Sequence, residues 1–146
     1  MRADPDGVLL GASLAFAGAS VLGSVVAIRD QLPGEPFGVS ISLSVPAGLL
    51  AGWGAAVAAP WPMPVAAVTA AAAARHRGPG AGPGSVCAAI GLGCIVGTVI
   101  EPVTRRPRSW SSTTGLAIGV NLAASAALVG AGAWHAATAR RQRGGR

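Results

Sequence analysis

The charged residues of this chain are confined to a few short segments, and the stretches between them carry no charge. The uncharged stretches are 7–28, 36–74, 78–100 and 110–139. Each is long enough for the roughly 20 residues that cross about 30 Å of hydrocarbon at about 1.5 Å per residue. Only 11% of the 146 residues are charged and 51% are apolar, outside the usual range for a soluble domain of this length. The pattern predicts an all-α integral membrane bundle of about four transmembrane helices.

The basic residues are all arginines, and they flank the apolar stretches. They give the chain a formal net charge of +6. A nucleic-acid partner would require a basic face on a soluble domain, so none is expected. The use of arginine without lysine, together with abundant Ala, Gly and Pro, is typical of a GC-rich bacterial genome. We therefore expect a multi-pass protein of the bacterial inner (cell) membrane, with the lipid bilayer as its partner and itself or another membrane protein as a further one.

Three spans follow directly from the uncharged stretches, at about 8–28, 84–101 and 114–136. A basic tail, 137–146, follows the last span, and its arginine-rich end from residue 140 is expected to be disordered. The first span allows an alternative, a cleaved signal peptide cut after residues 25–27. Its apolar stretch of about 21 residues is longer than the roughly 7–15 of a signal sequence, so a retained helix is favoured.

The second span lies in the 36–74 stretch, which would be nearly 60 Å long as one helix, too long for a single crossing. Two full crossings would leave no residues for a turn. Within it, 39–45 alternates apolar residues with serine, a period of two that favours an extended loop. Pro46, shortly after Ser44, suits the first turn of a helix. The second span is therefore predicted at 46–74.

Three prolines at alternate positions, within 60–64, interrupt this second span. They remove amide donors and clash with the preceding turn, so the helix is predicted to be kinked or broken there, at a point that faces the bundle. The alternative is that the prolines form a turn and 65–74 is a fifth, short helix. Ten residues reach only about 15 Å, so the single kinked span is favoured.

Small residues four apart recur on every predicted span. In lipid such pairs let helix backbones approach closely. The pairs predicted to pack helices are Ala19 with Gly23, Gly48 with Gly52, Gly93 with Gly97, and Gly115 with Gly119. Asn121 is expected to add a hydrogen bond between helices, a contribution of about 0.6–2 kcal/mol.

Glu101 is the ionisable residue nearest to membrane depth, where charged groups are functional candidates by default. It precedes Pro102, which pushes the preceding residue out of helical geometry and ends the third span. A carboxylate at a helix C-terminus is disfavoured by the helix dipole, so a positive partner is expected. The candidate partners are Arg105, Arg106 and Arg108. Either this ion pair fixes the turn between helices, or Glu101 carries a proton or a ligand.

The remaining reactive side chains form no catalytic or metal-binding pattern. Cys87 and Cys94 lie seven residues apart, about 10 Å along a helix, too far for a disulfide, and are expected to be small packing residues. His76 is expected in a solvated loop, and His135 beside Trp134 at the membrane interface. No zinc, nucleotide or hydrolase motif is present. The sequence predicts no catalytic residue, no metal, no cofactor and no enzyme activity.

The distribution of arginines predicts the orientation. In a four-span arrangement one side carries seven arginines and the other four, so the positive-inside rule places both termini in the cytoplasm. The five-span alternative also keeps the C-terminus inside but moves the N-terminus out. The richer side holds Arg2, Arg75, Arg77, Arg140, Arg141, Arg143 and Arg146, and the poorer side Arg29, Arg105, Arg106 and Arg108.

The layout resembles the small uncharacterised four-helix integral membrane proteins of GC-rich bacteria. The resemblance rests on 46–64, on 97–102 with its terminal Glu101-Pro102, and on the basic tail. It implies fold and location only, because such proteins have no settled activity. We expect a non-enzymatic, structural or partner-binding bundle. The alternative is a small transporter or channel subunit acting as an oligomer, although the first span lacks the acidic residue that a coupled exporter would place near the midplane.

Overall fold

The computed structural model describes residues 4–35, 38–39, 42–77 and 80–144, which form helices joined by irregular segments, and these residues contain no β-strand. A short 3-10 helix, Pro107–Ser109, precedes the last helix. The five α-helices are α1 (Pro5–Arg29), α2 (Val45–Ala51), α3 (Pro62–Arg77), α4 (Ala81–Ile100) and α5 (Ser112–Gly144).

Three helices, α1, α4 and α5, are long and apolar enough to span a membrane. Their outer faces expose large apolar side chains, among them Leu14, Val25, Leu92 and Leu116. Side chains of this kind suit contact with lipid, and together with the helix lengths they mark a membrane protein. The predicted all-α class is confirmed, but three helices reach spanning length and not about four.

Local signals account for the ends of the long helices. Asp4 caps α1 by accepting the amides of Asp6 and Gly7, both at 3.1 Å, and Pro5 occupies the first turn. Glu101 has an extended backbone, φ −61° and ψ 134°, so α4 ends before Pro102 as predicted. The helix therefore stops where the proline requires it.

The last helix is longer than predicted. Ser111 Oγ accepts the Thr114 amide at 3.1 Å and caps the start of α5. The helix then continues to Gly144, so the expectation of disorder from residue 140 is wrong for 140–144. Ala139, next to the first arginine of the tail, is buried.

The second predicted span is broken and not merely kinked. Ser44 caps α2 as predicted, but α2 is only seven residues long. No helix forms between Gly52 and Trp61, and helix resumes at Pro62. Gly52 and Gly54 adopt φ values of +88° and +85°, the left-handed region, and so turn the chain out of the helix.

This outcome also differs from the five-span alternative. That alternative placed a short helix at 65–74. The helix observed there, α3, begins three residues earlier, at Pro62, and has 16 residues. The added helix, α2, is about 10 Å long and does not cross a bilayer. The irregular stretch between them is called here the 52–61 segment. Its Trp61 amide donates to the Leu49 carbonyl at 3.0 Å, so the segment folds back on α2.

The helices α1, α3, α4 and α5 form an antiparallel bundle in which α1 and α4 each pack on both α3 and α5. Asp6 at the start of α1 contacts His135 late in α5, whereas Arg29 at its end contacts Thr113. The start of α1 and the end of α5 therefore share one end of the bundle, called here the terminal end. The opposite end, with the 52–61 segment and the α4–α5 loop, is the loop end.

The 52–61 segment fills the part of the bundle that α3 does not reach. Cys94 Sγ contacts Met63 Sδ in the first turn of α3 at 3.4 Å. Beyond this level, toward the loop end, α4 faces the 52–61 segment. Gly23 of α1 lies against the carbonyl of Val57, whose side chain is fully buried. Irregular backbone thus takes the place of helix in this half of the bundle.

Candidate solute-binding cavity

A cavity of about 130 Å³, called here the inner cavity, lies between the 52–61 segment and α4. Its wall combines the backbone of that segment with side chains from α3, α4 and α5. The polar or sulfur-bearing side chains on its wall are Trp53, Met63, Cys94, Thr98, Glu101 and Asn121.

Two glycines of α4 leave the space for this cavity. Gly93 and Gly97 were predicted to pack helices together, but a Cβ added at either position would meet no atom within 4 Å. Both glycines line the inner cavity. Gly93 is exposed and Gly97 is half-buried, so the cavity opens toward the surface on this side of α4.

Glu101 lies at the end of α4 and is 7% exposed. Its Oε2 accepts the backbone amide of Glu35 at 3.1 Å. Burial raises the pKa of the Glu101 carboxyl above its ordinary 4.5, the hydrogen bond from the Glu35 amide opposes that increase, and the Glu35 charge adds to it. The carboxyl group is thus held where its charged form is poorly solvated.

A second cavity, called here the outer cavity, adjoins Glu101 toward the loop end. It has a volume of about 240 Å³ and is lined by Glu35, Ala56, Val103 and Arg106 as well as by Glu101. Glu101 and Ala56 line both cavities. The carboxyl group therefore stands at the boundary between them.

The three arginines predicted as partners of Glu101 occupy different places. Arg105 donates from Nε to the Val99 carbonyl at 3.4 Å. Arg106 lines the outer cavity with Glu101, and Arg108 is exposed on the 3-10 helix. The ion pair stays a prediction, and the structure brings Arg106 to the cavity that Glu101 lines.

Asn121 makes the interhelical hydrogen bond that was predicted for it. Its side chain is 2% exposed, and Nδ2 of α5 donates to Thr98 Oγ1 of α4 at 3.0 Å. Within the described residues, Asn121 Oδ1 has no hydrogen-bond partner. A buried acceptor without a partner is unfavourable, so it marks a position where a ligand or water would be stabilised.

The other predicted packing residues have mixed roles. Gly48 lies near the Gly54 carbonyl, Gly52 ends α2, Gly115 lies near Trp110, and a Cβ at Gly119 would meet nothing within 4 Å. Ala19 is buried, and Gly23, as described above, packs against the 52–61 segment.

The contact between α4 and α5 involves glycines that the four-residue spacing did not select. A Cβ on Gly84 would lie 2.5 Å from the Gly132 carbonyl, and one on Gly91 would lie 2.7 Å from the Ser125 carbonyl. Gly84 and Gly91 are seven residues apart, two turns of one helix face. That spacing was the available signal for the α4–α5 contact.

A separate polar contact closes the terminal end of the bundle. His135 is 4% exposed, although it was predicted at the interface, and its Nε2 lies 3.0 Å from Asp6 Oδ1. A cavity of about 280 Å³ beside this pair is lined by Asp4, Arg75 and Thr138 as well. Asp6 and His135 are 129 residues apart, so no local pattern links them.

Both cysteines are buried free thiols. Cys87 Sγ donates to the Ala67 carbonyl at 3.5 Å and lies 3.8 Å from Ser13 Oγ, away from the inner cavity. Cys94 lines that cavity. In the described ranges, no group of three His, Cys, Asp or Glu side chains is placed to hold a metal ion.

Comparisons of the chain with models of protein families, with curated proteins and with solved structures found no match. The resemblance to small four-helix membrane proteins therefore stays an expectation.

Proposed function

We propose that this protein is a non-enzymatic membrane bundle that admits a small polar solute into its interior, as a small transporter or channel subunit does. The observation that carries the proposal is the inner cavity, in which irregular backbone and a buried carboxyl group face each other within the bundle.

The backbone of the 52–61 segment supports this proposal. In the hydrocarbon region, non-helical backbone is tolerated where it is buried in protein or lines a water-filled cavity. Helices broken at membrane depth often form the binding sites of transporters. Here α3 and the 52–61 segment together would make the fourth crossing, entering from the loop end and leaving at the terminal end.

The same proposal fixes the side from which the solute enters. We place the terminal end in the cytoplasm of a bacterial cell, because it carries the larger share of arginines. The outer cavity then opens on the opposite, external face. Reporters fused to the two termini are expected to be active only in the cytoplasm, and an N-terminal reporter active outside would contradict the fourth crossing.

Cys94 and Cys87 provide the direct test of solute access. Both are buried on α4, two turns apart, but only Cys94 lines the inner cavity. Two single-cysteine variants, Cys87→Ala and Cys94→Ala, would be reconstituted in lipid vesicles and exposed to Ag⁺ from the external face. After denaturation, the thiols left unmodified would be counted with a maleimide.

The expected result is rapid modification of Cys94 and protection of Cys87. Ag⁺ is charged and thiol-reactive, so it reaches Cys94 readily only through a hydrated path. The alternative function, a structural or partner-binding bundle, predicts that both thiols are equally protected. Equal protection of the two thiols, or equal modification, would overturn the proposed function.

A further inference from the structure

We infer that the solute of the inner cavity is a small monovalent cation, held by the Glu101 carboxylate, Asn121 Oδ1 and carbonyl oxygens of the 52–61 segment. This inference rests on the proposed function, since it names the class of ligand that the same cavity takes. It is carried by the kinds of polar atom that line the cavity and by the position of Glu101 between the two cavities.

The side chains that line the cavity offer a ligand mainly acceptor atoms. Asn121 directs its Nδ2 donor to Thr98, and this leaves Oδ1 without a partner. Met63 and Cys94 contact each other through sulfur. An unpartnered amide oxygen and a carboxylate on the wall of one cavity together disfavour an anion and favour a cation.

The backbone of the 52–61 segment also offers more acceptors than donors, because most of its amides already donate hydrogen bonds within the protein. Gly54 donates to the Gly48 carbonyl at 3.0 Å, and Ala56 donates to the Leu32 carbonyl at 3.5 Å. Pro60 has no amide hydrogen. The remaining donors that bond within the protein are those of Gly52, Trp53, Ala55, Ala58 and Trp61. The carbonyls of Ala55, Ala58, Pro60 and Trp61 already accept amides. Six other carbonyls of the segment and only two amides, those of Val57 and Ala59, make no backbone bond among the described residues, so carbonyl oxygens predominate, as in other cation sites built from unwound backbone.

The charge of the site favours a monovalent over a divalent ion. The inner cavity is lined by a single carboxyl group, that of Glu101. Divalent cations are usually held by several charged or strongly polar oxygens, and Mg²⁺ keeps a rigid octahedral shell. The outer cavity is lined by one further carboxylate, that of Glu35, and by one arginine, Arg106, whose formal charges cancel. One carboxylate neutralises one positive charge.

The size of the cavity is compatible with such an ion. A volume of about 130 Å³ admits several water-sized molecules, since one water needs only about 10–15 Å³ on this measure. An ion of the size of Na⁺ or K⁺ therefore fits with part of its hydration shell. A larger organic cation would displace that water and contact the sulfur atoms directly.

Protons compete with the cation at Glu101, because only the ionised carboxyl group binds it. Among the described residues, the charged groups that line a cavity with Glu101 are Glu35, from the loop after α1, and Arg106, from the loop after α4. The lining residues from α3, α5 and the 52–61 segment are uncharged. Cation binding should weaken as the pH falls and should release protons when the carboxyl group is partly protonated.

The test uses the purified full chain in lipid nanodiscs at constant ionic strength. NaCl or KCl replaces choline chloride in steps, and the thermal midpoint Tm and the fluorescence of Trp53, which lines the cavity, are recorded. Trp61→Phe, Trp110→Phe and Trp134→Phe together leave Trp53 as the fluorophore. We expect a saturable rise in Tm for Na⁺ or K⁺ over choline, since a ligand that binds only the folded state stabilises it.

The matched variants are Glu101→Gln and Asn121→Ala, with Gly119→Ala as the control on the lipid-facing side. We expect apparent affinity to fall about tenfold or more in the two cavity variants, equivalent to ~1.4 kcal/mol, and to be unchanged in the control. Asn121→Asp adds a second negative charge and should restore or strengthen binding, which also shows that the site tolerates substitution.

Several results would overturn the inference. An equal response to Na⁺, K⁺ and choline would exclude a site for small cations. If Tm changes with pH by the same amount with and without Na⁺ or K⁺, Glu101 binds a proton but no cation. If Cys94 is modified by Ag⁺ but no cation stabilises the protein, the inference fails while the proposed function stands. If Cys94 is protected, the proposed function fails first.

Discussion

His135 Nε2 lies 3.0 Å from Asp6 Oδ1 and joins the first turn of α1 to the end of α5. The imidazole is almost fully buried, whereas the carboxylate is 39% exposed. The hydrogen bond therefore satisfies one of the two ring nitrogens of a side chain that solvent does not reach, whereas Nδ1 has no partner among the described residues. It closes the terminal end of the bundle, where the start of α1 meets the later part of α5.

Removing this carboxylate should destabilise the bundle. Asp6→Ala leaves the buried His135 ring without its partner, and we expect the free energy of unfolding to fall by about 1–2 kcal/mol. The measurement is reversible unfolding in mixed micelles followed by circular dichroism. Asp30→Ala removes the exposed pair with Arg29 and is the control, for which no measurable loss is expected. Equal losses in the two variants would contradict a structural role for the Asp6–His135 contact.

The contact between α4 and α5 depends on the absence of a side chain at Gly84. A Cβ there would lie 2.5 Å from the Gly132 carbonyl and 2.7 Å from His135 Nδ1, so the helices must separate. Gly84→Ala should lower the free energy of unfolding by about 1–3 kcal/mol, as other overpacked contacts do. Gly93→Ala, on the same helix with open space around it, should be neutral or stabilising by about 0.5–1 kcal/mol. A stable Gly84→Ala protein would show that these backbones are not in close contact.

Filling the inner cavity should block access without unfolding the protein. Gly97→Leu places a side chain where no atom lies within 4 Å, on the wall of the cavity. We expect Ag⁺ to modify Cys94 at least about tenfold more slowly, equivalent to ~1.4 kcal/mol. Gly119→Leu adds the same side chain at an exposed site on α5 and should leave the rate unchanged. If both variants react at the wild-type rate, the path to Cys94 does not pass Gly97.

The buried carboxyl group of Glu101 should make stability depend on pH. Burial raises its pKa in the folded state above the ordinary 4.5, so the folded protein binds more protons than the unfolded chain above pH 4.5. Stability should therefore fall as the pH rises from about 4.5 through the raised folded pKa. Glu101→Gln, which stays neutral, should remove this part of the slope and be the more stable protein at neutral pH in choline chloride. The check is Tm against pH for both proteins, and parallel curves would refute the effect of burial.

Helix ends were the part of the fold that local sequence determined. Pro102 stops α4, and Ser44 with Pro46 starts α2, because each acts on backbone groups within one turn of the chain. The absence of charge over long stretches likewise determined the all-α membrane class. These signals need no knowledge of what a helix packs against.

The break in the second span was foreseen at the prolines but not over its full extent. Gly52 and Gly54 take left-handed backbone angles, and the segment is held by bonds to distant residues, such as that from Ala56 to Leu32. Glycine permits such angles without requiring them. The tertiary contacts decided that these two residues adopt them.

The candidate site was foreseen in part. Glu101 and Asn121 stood out in the sequence because polar groups are rare within such apolar stretches, and the bond from Asn121 to another helix was predicted. The cavity between them does not follow from the sequence, because the spacing of Gly93 and Gly97 predicts packing residues. Whether a glycine closes a helix contact or opens a cavity depends on what lies opposite, and only the arrangement of the 52–61 segment decided that.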